Sequence, residues 1–147
     1  MRKIFYAFVF SILLICASAI AFADVAIDET HFPDYMFREY LKTLDKDKDG
    51  VFSNEEITEI KSINCSGQTI ITLEGIEYFS LLTYLDCSGN YIKSLDLSQN
   101  TELISLECGS EHTINLNLTN NPKLEVLNCS GSSLAVLDLT NCSNLKS

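Results

Sequence analysis

The feature that most restricts this chain is a phrase that returns every 21 residues from Leu82 to Lys146. Leu82, Leu103 and Leu124 open successive copies, and Leu145 begins another. Ile60-Lys-Ser-Ile63-Asn-Cys65 is the same phrase, 22 residues upstream of Leu82. A fixed period in the twenties points to a stack of coils, in which each copy buries its apolar face against the next. Each period holds two apolar-polar-apolar triplets. The first is Leu85-Asp86-Cys87, matched by Ile63-Asn64-Cys65, Leu106-Glu107-Cys108 and Leu127-Asn128-Cys129. The second is Leu95-Asp96-Leu97, matched by Leu116-Asn117-Leu118 and Leu137-Asp138-Leu139. Bounded by Ser, Gly and Asn, such triplets predict brief strands with one buried face. Asn100, Asn121 and Cys142 share one turn position. Side chains there that bond neighbouring main-chain amides would stack into a ladder from coil to coil.

Within this register, Leu82-x-x-Leu85-x-Cys87-x-x-Asn90-x-Ile92 fits the phrase L-x-x-L-x-L-x-x-N-x-L, with Cys for one Leu, and resembles a leucine-rich repeat. Glu111 and Ser132 stand where later copies should carry Asn. The resemblance covers Ile60 to Ser147, about three fifths of the chain. It implies an α+β repeat fold, a short right-handed solenoid of about four parallel β coils, and a protein-protein or surface-interaction role for one sheet face. With the first strand lining that face, the outward residues are Tyr84, Asp86, Ser88, Ser105, Glu107, Val126 and Asn128. They form a small, acidic surface poor in the aromatic anchors that dominate interfaces. The partner is an unknown protein or surface glycan. A structural repeat stub, with no ligand beyond a structural ion, is the competing reading.

The N-terminal part differs in composition. Arg2 and Lys3, the apolar run Ile4 to Ile15, and Ala21-Phe22-Ala23 make residues 1–23 a secretory signal peptide cleaved after Ala23. The mature chain is therefore expected to be secreted or at the cell surface. Cys16 is not a lipid anchor, because Ile15 before it is too large. Losing Arg2 and Lys3 takes the net charge from −10 to −12. Repulsion then disfavours nucleic acid and anionic membranes and favours metal cations.

Residues 24–61 carry no repeat. His31 to Leu44 predicts a helix from about Pro33, with Pro33 in the first turn, Asp34 complementing the dipole, and Phe37, Tyr40, Leu41 and Leu44 on one face. A second helix should begin near Asn54. Between them, Asp45, Asp47, Asp49, Val51, Ser53 and Glu56 occupy positions 1, 3, 5, 7, 9 and 12 of a stretch with Gly50 at position 6. Calcium takes six to eight oxygens at roughly 2.3–2.6 Å, and this spacing resembles the EF-hand loop. The resemblance implies Ca2+ held by those six residues, Val51 through its backbone carbonyl. EF-hands normally work in pairs, and no second loop stands in the sequence. Phe52, at position 8, is therefore expected to pack on the first coil, with the helices forming an EF-hand-like cap on the solenoid. A signal peptide, a loop of this kind and then leucine-rich repeats look like secreted bacterial surface proteins. Phe32-Pro33-Asp34 and Gly75-Ile76-Glu77-Tyr78 add to that likeness.

Cys65, Cys87, Cys108 and Cys129 share one repeat position and predict a buried column of reduced thiols. Neighbouring coils bring their Cα atoms within disulfide range, but parallel Cβ vectors hold the sulfurs poorly for bonding. No catalytic constellation surrounds His31 or His112, so no enzyme is expected. The N-x-S/T triplets at Asn64, Asn117, Asn128 and Asn141 follow from repeat composition. The last coil, with Leu134 and Leu137, lacks a polar cap, which predicts fraying or self-association through that end.

Overall fold

The structure, a computed structural model, describes residues 24–113 and 115–146. The signal peptide expected over residues 1–23 lies outside the described residues. In chain order the elements are β1 (Val25–Ala26), α1 (Tyr35–Leu41), β2 (Val51–Phe52), α2 (Asn54–Glu59), β3 (Ser62–Asn64), a 3₁₀ turn (Ile76–Tyr78), β4 (Tyr84–Asp86), β5 (Ser94–Asp96), β6 (Ser105–Glu107), β7 (Asn115–Asn117) and β8 (Val126–Asn128).

The repeat folds as its period requires. Strands β3, β4, β6 and β8 pair in parallel in that order, stacking Ile63, Leu85, Leu106 and Leu127 in one row. On the other side of the coils β5 pairs with β7, aligning Leu95 with Leu116. Each strand is centred on the apolar residue, one position earlier than the triplets suggest. The polar residue ends the strand by capturing the chain beyond it. Asp86 Oδ1 accepts from the Ser88 amide (3.0 Å) and hydroxyl (2.7 Å), and Asn64 and Asn128 hold Ser66 and Ser130 in the same way. Such turns divert the serine amide, while Cys87 and Gly89 on either side of Ser88 still donate to Glu107 O and Gly109 O of the next coil. The N-C-S triplets at Asn64 and Asn128 are thus strand stops. Leu137-Asp138-Leu139, expected as a third strand of the second set, is not one.

The polar ladder runs through carbonyls, where the sequence pointed to amides. Asn100 Nδ2 donates to Ile76 O (2.9 Å) and Phe79 O (3.0 Å) one coil back, and Asn121 Nδ2 to Leu97 O (3.1 Å) and Asn100 O (2.8 Å). Cys142 continues the position with only a weak thiol contact to Leu118 O at 3.9 Å. A second anchor is Asn90, which accepts from the Gln68 and Ile70 amides and donates to Cys65 O and Cys87 O. Where Glu111 and Ser132 replace this Asn, neighbouring hydroxyls bridge the coils: Ser110 Oγ donates to Asn90 O and Ser133 Oγ to Glu111 O.

The N-terminal elements close the first coil. Helix α1 starts after Pro33, because Asp34 is its N-cap and accepts from the Phe37 amide at 2.9 Å. Phe37 and Leu41 are buried from that helix, with Tyr40 and Leu44 packed half-buried beside them. Phe32, Phe37, Phe52 and Phe79 are fully buried, with Phe32 edge-on to Phe37 and Phe52, and Phe52 edge-on to Phe79 at 5.4 Å between ring centres. Phe52 thus packs on the first coil as expected. Gly75, at φ +100°, sits where a Cβ would run into the Phe32 ring and the His31 carbonyl. The short strand β1 was not foreseen. It pairs antiparallel with β2, setting Val25 opposite Phe52 and Ala26 opposite Val51.

Candidate metal loop and interaction face

The acidic turn follows α1 and is bent by its own carboxylates. Asp45 is buried, and its two oxygens accept from the Lys48 amide (2.8 Å) and the Gly50 amide (2.9 Å). Asp47 accepts from the Asp49 amide, and Asp49 from the Val51 amide at 2.8 Å. Lys48 at φ +62° and Gly50 at φ +84° adopt the left-handed backbone that turns the chain back on itself. Oxygens of Asp45, Asp47 and Asp49 consequently lie within 4.8 Å of one another. The bond from the Asp49 amide pulls the Asp47 carboxyl down, but lost hydration and repulsion from Asp49 and Glu56 outweigh it and raise its pKa. A cation among these oxygens would relieve that repulsion.

Of the six residues assigned to the ion, three converge and a fourth faces them. The Ile27 amide donates to Gly50 O at 2.9 Å, which leaves Ala26 and Val51 as a pair with no bonds between them. The Val51 N–H therefore points away from β1, to Asp49. Its carbonyl, which shares that edge of an extended chain, points the same way. Glu56 is outside that group of three, and it and Ser53 are bonded to each other at the start of α2. Ser53 is the N-cap and accepts from the Glu56 amide. Glu56 Oε2 accepts from the Ser53 amide (3.0 Å) and hydroxyl (2.9 Å), while Oε1 accepts from the Lys46 amide (2.9 Å). Burial acts to raise the Glu56 pKa, and the bonds from Lys46 and Ser53 outweigh it, leaving it lowered. A reciprocal capping box explains this pairing. The S-x-x-E spacing of Ser53 and Glu56 is its sequence signal, and the two roles overlap on the same residues.

The seven residues assigned to a partner do share one surface. Tyr84, Ser105 and Val126 are in register across β4, β6 and β8, as are Asp86, Glu107 and Asn128, with Ser88 just beyond. Ser62 and Asn64 of β3 extend both rows. Tyr84 Oη donates to Glu107 Oε1 at 3.3 Å. Lost hydration, then the charges of Asp86 and Glu107, raise the tyrosine pKa. A cavity of about 360 Å³, lined by Thr72, Glu74, Glu77, Ser94 and Asp96, lies beside β5.

Behind the sheet face, Cys65, Cys87 and Cys108 are free and buried, and Cys129 is free and half-buried. Burial, reinforced by Asp86, pushes the Cys65 thiol up to about 12. Burial and the neighbouring Cys129 do the same to Cys108, also to about 12, and Cys87 is raised well above its usual value by burial and Cys108. Burial thus disfavours the reactive thiolate form at Cys65, Cys87 and Cys108.

No protein-family model matches the chain. Internalin J of Listeria monocytogenes serotype 4b (strain F2365) is 37% identical over 71 residues, 48% of this chain and 8% of that protein. A structure of the functional domain of internalin J from L. monocytogenes, described as including a cysteine ladder, matches 85% of this chain at 27% identity with a TM-score of 0.62. Internalin F of L. monocytogenes 4b F2365 matches 86% at 25% identity with a TM-score of 0.73. The chain spans 32% and 38% of those two structures, well under two thirds of either. Coils, register and likeness agree: this chain folds as a solenoid of parallel β coils similar to the internalins.

Proposed function

We propose that the chain is a secreted interaction module that binds a protein or surface glycan through the β4–β6–β8 face, with a calcium ion stapling an EF-hand-like N-terminal cap. The observation that carries the interaction reading is the in-register rows Tyr84/Ser105/Val126 and Asp86/Glu107/Asn128 on a parallel sheet, in a fold similar to internalins. The row of Asp86, Glu107 and Asn128 carries the acids of this face and favours a partner that presents basic groups. Residues 1–23 support export, and among the described residues no helix is long and apolar enough to cross a membrane.

The calcium reading rests on the oxygens of Asp45, Asp47 and Asp49 and on the direction of the Val51 carbonyl. All are hard donors suited to calcium. Glu56 would complete the set, and because Ser53 occupies Oε2 twice, bidentate capture would require the Ser53 hydroxyl to let go. An ion that binds only the folded state at a hundredfold excess over Kd stabilises by about 2.7 kcal/mol. That raises Tm by roughly 8–15 °C for a domain of this size. Melting in calcium and in chelator is the test, with Asp45→Ala and Glu56→Ala abolishing most of the difference. Equal melting temperatures would sink the calcium reading. For the face, the double variant Ser105→Lys/Glu107→Lys should lose partner binding while melting normally. Binding unchanged by that variant would move the site elsewhere, and no binding at all would favour a structural stub.

A further inference from the structure

We infer that β1 is the built-in sister strand of the acidic loop: by pairing with β2 it holds the Val51 carbonyl towards the ion, so calcium binding and docking of the chain's N-terminal strand strengthen each other. The inference rests on reading Asp45–Glu56 as a calcium loop. A lone loop of this type has nothing to pair with at positions 7 and 8, and a two-residue strand cannot hold its geometry unaided. Here Val25 and Ala26 supply the missing edge, opposite Phe52 and Val51. The Ile27 amide extends the pairing by one bond, to Gly50 O at the sharpest point of the turn. Val51 is the one loop residue whose expected ligand atom is a main-chain oxygen, so its aim depends on backbone direction and not on a rotamer. That direction is fixed from both edges, by β1 on one and by Asp49 on the other. Asp49 is itself one of the converging carboxylates.

The strand is anchored independently of any ion. Val25 and Ile27 are buried, in the same core as Phe32, Phe37 and Phe52. They act as positioning residues: they touch no ligand, and work through β2. If docking of β1 tightens calcium binding by some factor, calcium must tighten docking of β1 by the same factor, since coupling between two sites is reciprocal. The ion would then control the N-terminal strand as well as the loop.

The test uses the purified protein and has two arms. Calcium titration compares wild type with Ile27→Pro, which removes the amide donated to Gly50, and with Leu116→Ala, which weakens a distant coil. Ile27→Pro should raise the calcium Kd at least tenfold, and Leu116→Ala should leave it within twofold. Hydrogen exchange of the wild type should show the Ile27 amide slowed at least tenfold by calcium. That arm stands by itself should Ile27→Pro fail to fold. A wild type that binds calcium, with an unchanged Kd in a folded Ile27→Pro or with Ile27 exchanging equally fast in calcium and chelator, overturns this inference alone. A wild type that binds no calcium overturns the loop reading along with it.

Discussion

Asp34 joins the two halves of the molecule with one carboxylate. Its Oδ1 caps α1 at the Phe37 amide, and its Oδ2 accepts from the Ile71 amide at 2.7 Å and more weakly from Thr72. The residue is buried, as is its bond to the Phe37 amide, while the bond to Ile71 is part-buried. Asp34→Ala should cost about 1 kcal/mol for the lost cap and about 0.5–1.5 kcal/mol for the lost bond to Ile71, roughly 1.5–2.5 kcal/mol together. Chemical denaturation would measure it, and a loss below about 1 kcal/mol would mean that Ile71 finds another acceptor. From the sequence Asp34 reads as a charge near a helix start, and that much is legible. Its second partner lies 37 residues away and has no local signal. Strand β1 was hidden for the same reason: Val25-Ala26 is too short to carry a period, and only its contact with β2 makes it a strand. By contrast Leu85 and Leu106 declare themselves, because a 21-residue repeat is a property of the chain alone, and the even spacing of Asp45, Asp47 and Asp49 is read as easily. Ser53 and Glu56 fall between: two patterns claim them, and the reciprocal cap forms because it needs only neighbours.

At the scale of the coil, two columns set how firmly one turn holds the next. The Asn column weakens at Cys142, where a thiol at 3.9 Å replaces an amide that reaches two carbonyls one coil back. Cys142→Asn should add about 1 kcal/mol, the net worth of a hydrogen bond. The gain is held down because this position leaves the amide oxygen buried without a partner, as at Asn100 and Asn121. The reverse change, Asn121→Cys, should cost about 1–3 kcal/mol. Equal denaturation midpoints for both variants and the wild type would show that the ladder contributes nothing. The Cys column makes a prediction about pH. The thiols of Cys65 and Cys108 titrate near 9.0 when unfolded and near 12 in the fold. A folded value above the unfolded one gives stability that is complete below pH 9 and declines as pH rises towards 12, by about 1.4 kcal/mol per pH unit for each thiol ionised only in the unfolded chain. Replacing Cys65, Cys87 and Cys108 by Val should flatten the alkaline side of the stability curve measured by urea titration. An unchanged alkaline slope would place its cause outside the thiols.

For the molecule as a whole, a stack whose coils touch only their neighbours should differ in stability from coil to coil. Burial already declines along the stack. Ile63, Leu85 and Leu106 are fully buried, while Leu127 in β8 is half-buried; Cys129 and Leu139 follow the same trend after Cys108 and Leu118. At the other end the cap shields β3, and Tyr40 Oη accepts from the Asn64 amide at 3.0 Å on the strand edge that no further coil covers. Amide exchange should therefore be slowest in β4 and β6, whose central leucines are fully buried, and faster in β8, where Leu127 is half-buried. Removing calcium should speed exchange in β1, β2 and α2 most. A smaller effect should reach β3 through Tyr40 and Asp34, and β6 and β8 should keep their rates within about twofold. The gradient follows from nearest-neighbour coupling: a disturbance at the cap must weaken each interface in turn before it reaches the next. Exchange measured in calcium and in chelator on one sample decides it. Equal acceleration at β3 and β8 on chelation would mean that the coils unfold as a single cooperative unit, and the division into an ion-dependent cap and self-sufficient coils would fall.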